Sequence, residues 1–159
     1  MSDRYTVTFF GHRDCPENII DSLYKTAESL ILTHDNICFY IGNEGKFDSY
    51  ARKVLQSLSQ KYPNITYNVV LAYMPSEKRY GEYMDYSDTL IPDGIEECHP
   101  KYAIARRNDW MAKKSDCAIT YVKYPIGGSF KYSELMKQQG KTVINLADVW
   151  LLLFWLSSY

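Results

Sequence analysis

The chain has 159 residues, 46% of them hydrophobic, a length and composition that suit one domain with a sizeable core. Its 18 basic and 19 acidic side chains leave a net charge of -1, which excludes a general attraction to nucleic acid or acidic membranes. The 15 tyrosines fit half-buried surfaces and interfaces, or stacking on bases and sugars.

Tyr5–Phe10 is rich in β-branched and aromatic residues and reads as the first strand. It stops at Gly11-His12-Arg13. Arg13 either projects at the carboxyl end of that strand, the edge where open α/β sheets bind ligands, or stands in a solvated loop. Asp14 and Pro16 signal a helix start. Ile19, Ile20, Leu23, Ala27, Leu30 and Ile31 then recur at helical spacing, and His34-Asp35-Asn36 end the run. Ile37–Ile41 is a short apolar second strand. Gly42-Asn43-Glu44-Gly45 turns directly into a helix over Phe47–Gln60. The turn is not GxGxxG, so alone it is a weak signal. Glu44 or Asp48 suits a ribose diol; Asp48 equally suits the positive end of the helix.

Pro63 and Asn64 break that helix, and Ile65–Tyr73 reads as the third strand. Residues 76–100 mix tyrosines, charges, proline and glycine without period, as a binding loop or lid does, or a loop hiding a short helix. His99 within it reads as structural. Lys101–Lys114 is helical by spacing, with Ala103, Ile104, Trp110 and Met111 as its apolar residues. Asp116–Val122 is the fourth strand. A Pro/Gly loop, Tyr124–Ser129, leads to a helix over Ser129–Gln139, ended by Gly140. Lys141–Leu146 is the fifth strand. Ala147–Tyr159 is an apolar terminal segment that packs on the core or forms a dimer contact. Its most apolar part, Val149–Leu156, is too short to span a bilayer.

Cys15, Cys38, Cys98 and Cys117 form no CxxC pair, and no histidine spacing completes a zinc site, so neither a metal nor a cofactor is expected. Cys38 and Cys117 fall within strands, where cysteine acts as a small apolar residue. The polar start of the chain reads as no signal peptide, and reduced thiols suit a cytoplasmic protein.

Strands alternating with helices imply an α/β fold: a Rossmann-like open parallel sheet of about five strands with helices on both faces, in a single domain over 1–159. Right-handed crossovers put the strand ends after residues 10, 41, 73 and 122 along one edge. Gly11–Arg13, Gly42–Asp48 and Tyr124–Ser129 then meet there. The stretch from Arg106 to Glu134 concentrates the chemistry. A strand delivers Gly127-Gly128 to a helix start, where bare amides and the helix dipole favour an anion. The preceding helix brings Arg106 and Arg107 towards the same mouth, and Glu134 sits in the first turns of the following one. A nucleotide or sugar-phosphate ligand fits that set.

GHR after the first strand, IGNEGKFDSYA after the second, RNDWM before the fourth and IGGSFKYSE after it resemble the SLOG superfamily. Within it, the likeness is to the YpsA-like group of bacterial and phage-associated proteins. It runs from about Tyr5 to Leu146. By spacing, Arg107 and Met111 fall on the Arg and Met of the RKxxM motif of Lonely-guy-type phosphoribohydrolases. Gly127, Gly128 and Glu134 fall on the glycines and glutamate of their PGGxGTxxE motif. Asn108 stands for Lys, Ile126 for Pro, Phe130 for the third Gly and Lys131 for Thr. Lys131 then offers phosphate a point charge in place of the backbone cradle, or faces solvent.

The resemblance implies a nucleotide-derived or NAD-derived ligand, bound by a sensor or accessory protein acting through a homodimer or an effector protein. Its ligand-binding residues would be Gly11, His12, Arg13, Gly42, Asn43, Glu44, Gly45, Asp48, Arg107, Asn108, Gly127, Gly128, Ser129 and Lys131. The alternative it implies is N-glycosidic cleavage of a nucleoside 5'-monophosphate. Glu134 would then stabilise the ribosyl cation or activate water, and Arg107 would neutralise phosphate or the leaving base. A third reading is an interaction module without enzymatic activity, its glycine turns only tight connections.

Overall fold

Strand β1 (Tyr5–Gly11) lies inside the sheet, pairing in parallel with β2 (Ile37–Ile41) on one side and β5 (Cys117–Tyr121) on the other. The computed structural model describes residues 3–74 and 87–148. Beyond β2 come β3 (Ile65–Val70) and the two-residue β4 (Thr89–Leu90); beyond β5 comes β6 (Thr142–Asn145). The order is β4-β3-β2-β1-β5-β6, and every pairing is parallel.

Strand side chains alternate between faces, so each apolar run serves two cores. Val7, Phe9, Ile37, Phe39, Ile41, Cys117 and Ile119 face one way. They meet Leu23, Ala27 and Ile31 of α1 (Ile20–Thr33) and Phe47, Ala51, Val54, Leu55 and Leu58 of α2 (Gly45–Lys61). Phe10, Cys38, Tyr40, Val70 and Ala118 face the other way. They meet Met111 and Ala112 of α3 (Ala103–Lys114) and Tyr132 and Met136 of α4 (Gly127–Gln138). This is the α/β Rossmann-like sheet with helices on both faces that the alternation of strands and helices implies. Among the described residues no helix is long and apolar enough to cross a membrane.

Most element ends shift by one or two residues from the expected bounds, and three differences bear on the sheet edge and the site. The third strand ends at Val70 rather than Tyr73, although the Leu71 amide still donates to the Leu90 carbonyl at 2.9 Å. That bond belongs to a sixth strand, β4, which sits within the aperiodic 76–100 stretch. Arg52 of α2 ties this edge down through two bonds to Asp88, at 2.9 and 3.0 Å. Third, α4 starts at Gly127 rather than Ser129, and Gly127 enters it with a φ of 87° that a residue with a Cβ resists. The rest of the 76–100 stretch holds two 3-10 turns, Ile95–Glu97 and Pro100–Tyr102. His99 starts the second, its Nδ1 accepting the Lys101 amide at 3.1 Å, so its role there is structural. Residues 75–86, and 149–159 of the apolar terminal segment, lie outside the described residues. Leu146, expected in the fifth strand, instead opens a 3-10 turn, Leu146–Asp148, and is in the core.

The chain leaves β1 towards β2 and leaves β5 towards β6, in opposite directions across the sheet. Between those two departures a crevice opens at the carboxyl ends of the strands.

Candidate functional site

Close packing brings α2 to the crevice. A Cβ on Gly11 would run into the Phe47 ring, which is fully buried in the first turn of α2. The Lys46 amide donates to the Arg13 carbonyl at 2.8 Å, knitting the turn after β2 to the turn after β1. Gly45 opens α2 with φ 88°, and a Cβ there would lie 2.7 Å from Arg13 Cα. Both the twist and the tight approach require glycine at that position.

Gly42 sits where a carboxylate and a guanidinium converge. A Cβ on it would lie 2.6 Å from Asp48 Oδ2 and 3.0 Å from Arg107 Cζ. Arg107 is only 3% exposed. Its Nη1 donates to Asn43 Oδ1 and its Nε to Asn108 Oδ1, each at 3.2 Å. The buried Asp48 carboxylate accepts the Glu44 amide at 3.0 Å. Burial pushes its pKa from the ordinary 3.8 up to about 6. The Arg107 charge pulls it down, as do the Glu44 amide and the Arg13 charge; the Glu44 carboxylate pushes it up. Arg13 stands 3.7 Å from Glu44, so each cation at the crevice has an acidic neighbour.

The other wall comes from β5 and α4. His12 Nε2 accepts the amides of Lys123 at 2.9 Å and Tyr124 at 3.3 Å, and the His12 amide donates to the Tyr121 carbonyl at 3.1 Å. An accepting Nε2 fits a neutral ring, and burial moves the His12 pKa down from 6.5. Asn145 grips the same loop: its side chain accepts the Val122 amide at 3.0 Å and donates to the Val122 carbonyl at 2.9 Å. The loop then enters α4 through the extended Ile126. No side chain caps that N-terminus. The first amides of a helix have no partner within it, so those of Gly127, Gly128 and Ser129 remain for solvent or a ligand. Tyr132 Oη donates to the Ala105 carbonyl at 2.9 Å and fixes α4 against α3.

These walls enclose a cavity of about 370 Å³, a size that suits a small organic ligand. Gly11, His12, Arg13, Gly42, Glu44, Asp48, Arg107, Asn108, Gly127, Gly128 and Ser129 line it. The sequence reading missed Phe9, Phe10 and Ile104, which complete the lining together with Met111. Their signal was position: Phe9 and Phe10 are near the carboxyl end of β1, and Ile104 shares a helix with Arg107.

Five residues singled out from the sequence do not line the cavity. Asn43 acts one step back, through Arg107. Gly45 acts through the turn described above. Lys131 is exposed on α4. Glu134, also on α4, has its carboxylate bonded to Lys137 at 3.1 Å, with 40% of its side chain exposed. Arg106 also departs from the expected mouth: it is exposed, and its Nη2 lies 3.8 Å from where a Gly94 Cβ would be. Among the described residues no three His, Cys, Asp or Glu side chains gather in a metal-binding cluster.

No family model matches the chain, and no curated protein matches it with significance.

Proposed function

We propose that this protein binds a nucleotide-derived or NAD-derived small molecule at the carboxyl edge of its sheet, as a sensor or accessory protein of the SLOG type. The observation that carries the reading is convergence. The turns after β1 and β2, the buried arginine of α3 and the uncapped start of α4 all border one cavity. Each part has a matching ligand group. Amides at the start of α4 and the Arg107 guanidinium suit phosphate. Phe10, Ile104 and Met111 offer an apolar surface to a base, and the half-buried Glu44 carboxylate suits ribose hydroxyls. The GHR, IGNEG, RNDWM and IGGSFKYSE motifs that suggest the SLOG superfamily fall on these elements.

Binding is favoured over N-glycosidic cleavage by the position of Glu134. The carboxylate that cleavage would need at the ribosyl centre is bonded to Lys137 outside the cavity. Signal transfer then runs through a second copy of the chain or an effector protein.

Thermal unfolding with millimolar AMP, ADP-ribose and NAD tests the reading. A ligand at a hundred times its dissociation constant stabilises by about 2.7 kcal/mol, which raises the midpoint of a domain this size by roughly 5–10 °C. At least one of the three should do so. A midpoint unmoved by all three would overturn the proposal.

A further inference from the structure

A second cavity, of about 410 Å³, adjoins the first and shares His12 with it. It is lined by His12, Asp14, Pro16, Tyr121, Lys123 and Tyr124. We infer that it is a subsite for a second heteroaromatic ring, joined through phosphate to the group held in the first cavity. The inference rests on the binding reading above and extends it to a ligand with two rings.

Two features point to a planar ring rather than to a second anion, and a third to its linkage with the first cavity. The first is aromatic surface. The His12 ring stands edge-on to Tyr121 at 6.1 Å and tilted against Tyr124 at 5.7 Å. Tyr124 remains 55% exposed, with the Lys123 ammonium 5.8 Å from its ring centroid, so ring surface is open to a partner. Stacking on such a face is tolerant of ring identity. The second feature is charge. Asp14 and Lys123 bring one charge of each sign, and His12 is held neutral by the two amides it accepts. The chamber therefore has no net attraction for phosphate and suits an uncharged ring.

The third feature is continuity. One short loop supplies both chambers: Lys123 and Tyr124 line the second, and Gly127 to Ser129 line the first. A diphosphate at the start of α4 would have a nucleoside on the Phe10 and Met111 side. Its other arm would pass His12 towards Tyr124. His12 is the wall common to both, and its bonds to Lys123 and Tyr124 fix the spacing between the chambers.

The test uses two probes that differ only in the second ring. ADP-ribose carries adenine, a diphosphate and a bare ribose; diadenosine diphosphate adds an adenine to that ribose. Titration calorimetry on the full chain should show diadenosine diphosphate binding about tenfold or more tighter, the worth of one stacked base. In Tyr124→Ala that advantage should vanish while ADP-ribose affinity stays at the wild-type value, which also reports an intact fold. Equal affinity of the two probes for the wild type would overturn the subsite and leave the first cavity standing. So would an advantage that survives Tyr124→Ala. Binding of neither probe would remove the underlying reading and this inference with it.

Discussion

Arg107→Ala raises the dissociation constant for ADP-ribose at least about 100-fold, the scale set by losing a desolvated charge partner. It also lowers stability by about 3–5 kcal/mol at pH 7.5, because removal of one member of a buried pair strands the other. Arg107 is 3% exposed, bonded to Asn43 and Asn108, and faces Asp48 across Gly42. Its charge is the largest influence holding the Asp48 pKa down against burial. Without it that carboxyl titrates still higher. The raised pKa means that the protonated acid is the form the fold prefers. The stability deficit of the variant is therefore larger at pH 7.5, where wild-type Asp48 is ionised, than at pH 5, where it is already mostly protonated. Urea unfolding at both pH values, beside calorimetry, reads the two effects. A variant that binds as the wild type does would place the ligand elsewhere.

Asp48→Asn works in the opposite direction on affinity. At pH 7.5 the wild-type carboxylate offsets part of the Arg107 charge that a phosphate would use. Removing one buried negative charge should tighten ADP-ribose by about tenfold, given interaction energies at an effective dielectric near 20. The diphosphate of ADP-ribose keeps its charge between pH 5 and 8, so a pH dependence there belongs to the protein. Wild-type affinity should rise as the pH falls through about 6, where Asp48 takes up its proton. The variant should show little of that rise. The facing groups Glu44, Arg13 and Arg107 are unchanged in it. Stability follows the same sign. The folded pKa of about 6 lies above the ordinary 3.8, so the contribution of Asp48 is complete below pH 3.8 and is lost as the pH rises through 6. The difference amounts to about 3 kcal/mol. An unchanged pH profile in Asp48→Asn would separate that residue from the site.

Much of the architecture was legible because the inner strands are short apolar runs bounded by turns. Ile37–Ile41 is buried at every position, and Cys117–Tyr121 likewise. Strand β4 was not legible, since two residues carry no periodicity and its pairing with Val69 and Val70 depends on the rest of the sheet. The helix start at Gly127 is not legible, because a glycine pair reads as loop.

Among the site residues, adjacency misled at Arg106 and Arg107. Neighbours on a helix point about 100° apart, so only one could enter the cleft. The choice is visible in the spacing: Ala103, Arg107 and Met111 recur every four residues and all are buried, whereas Arg106 is on the solvent side. Glu134 misled through motif spacing. It lies two turns, about 10 Å, down the axis from Gly127, too far to share the amides at the start of α4. Asp48 could not be read from the sequence as a partner of Arg107, because the close approach depends on the absence of a side chain at Gly42 in a turn more than 60 positions before the arginine.

The central claim is that an anionic ligand sits between Arg107 and the first turn of α4. Amide chemical shifts of the isotope-labelled chain, followed by NMR during titration with ADP-ribose, test it most directly. The account predicts that the largest shifts fall on Gly127, Gly128 and Ser129, with Gly42 to Glu44 and His12 to Arg13 next. Saturable shifts clustered away from these turns, with Gly127 to Ser129 unmoved, would contradict it.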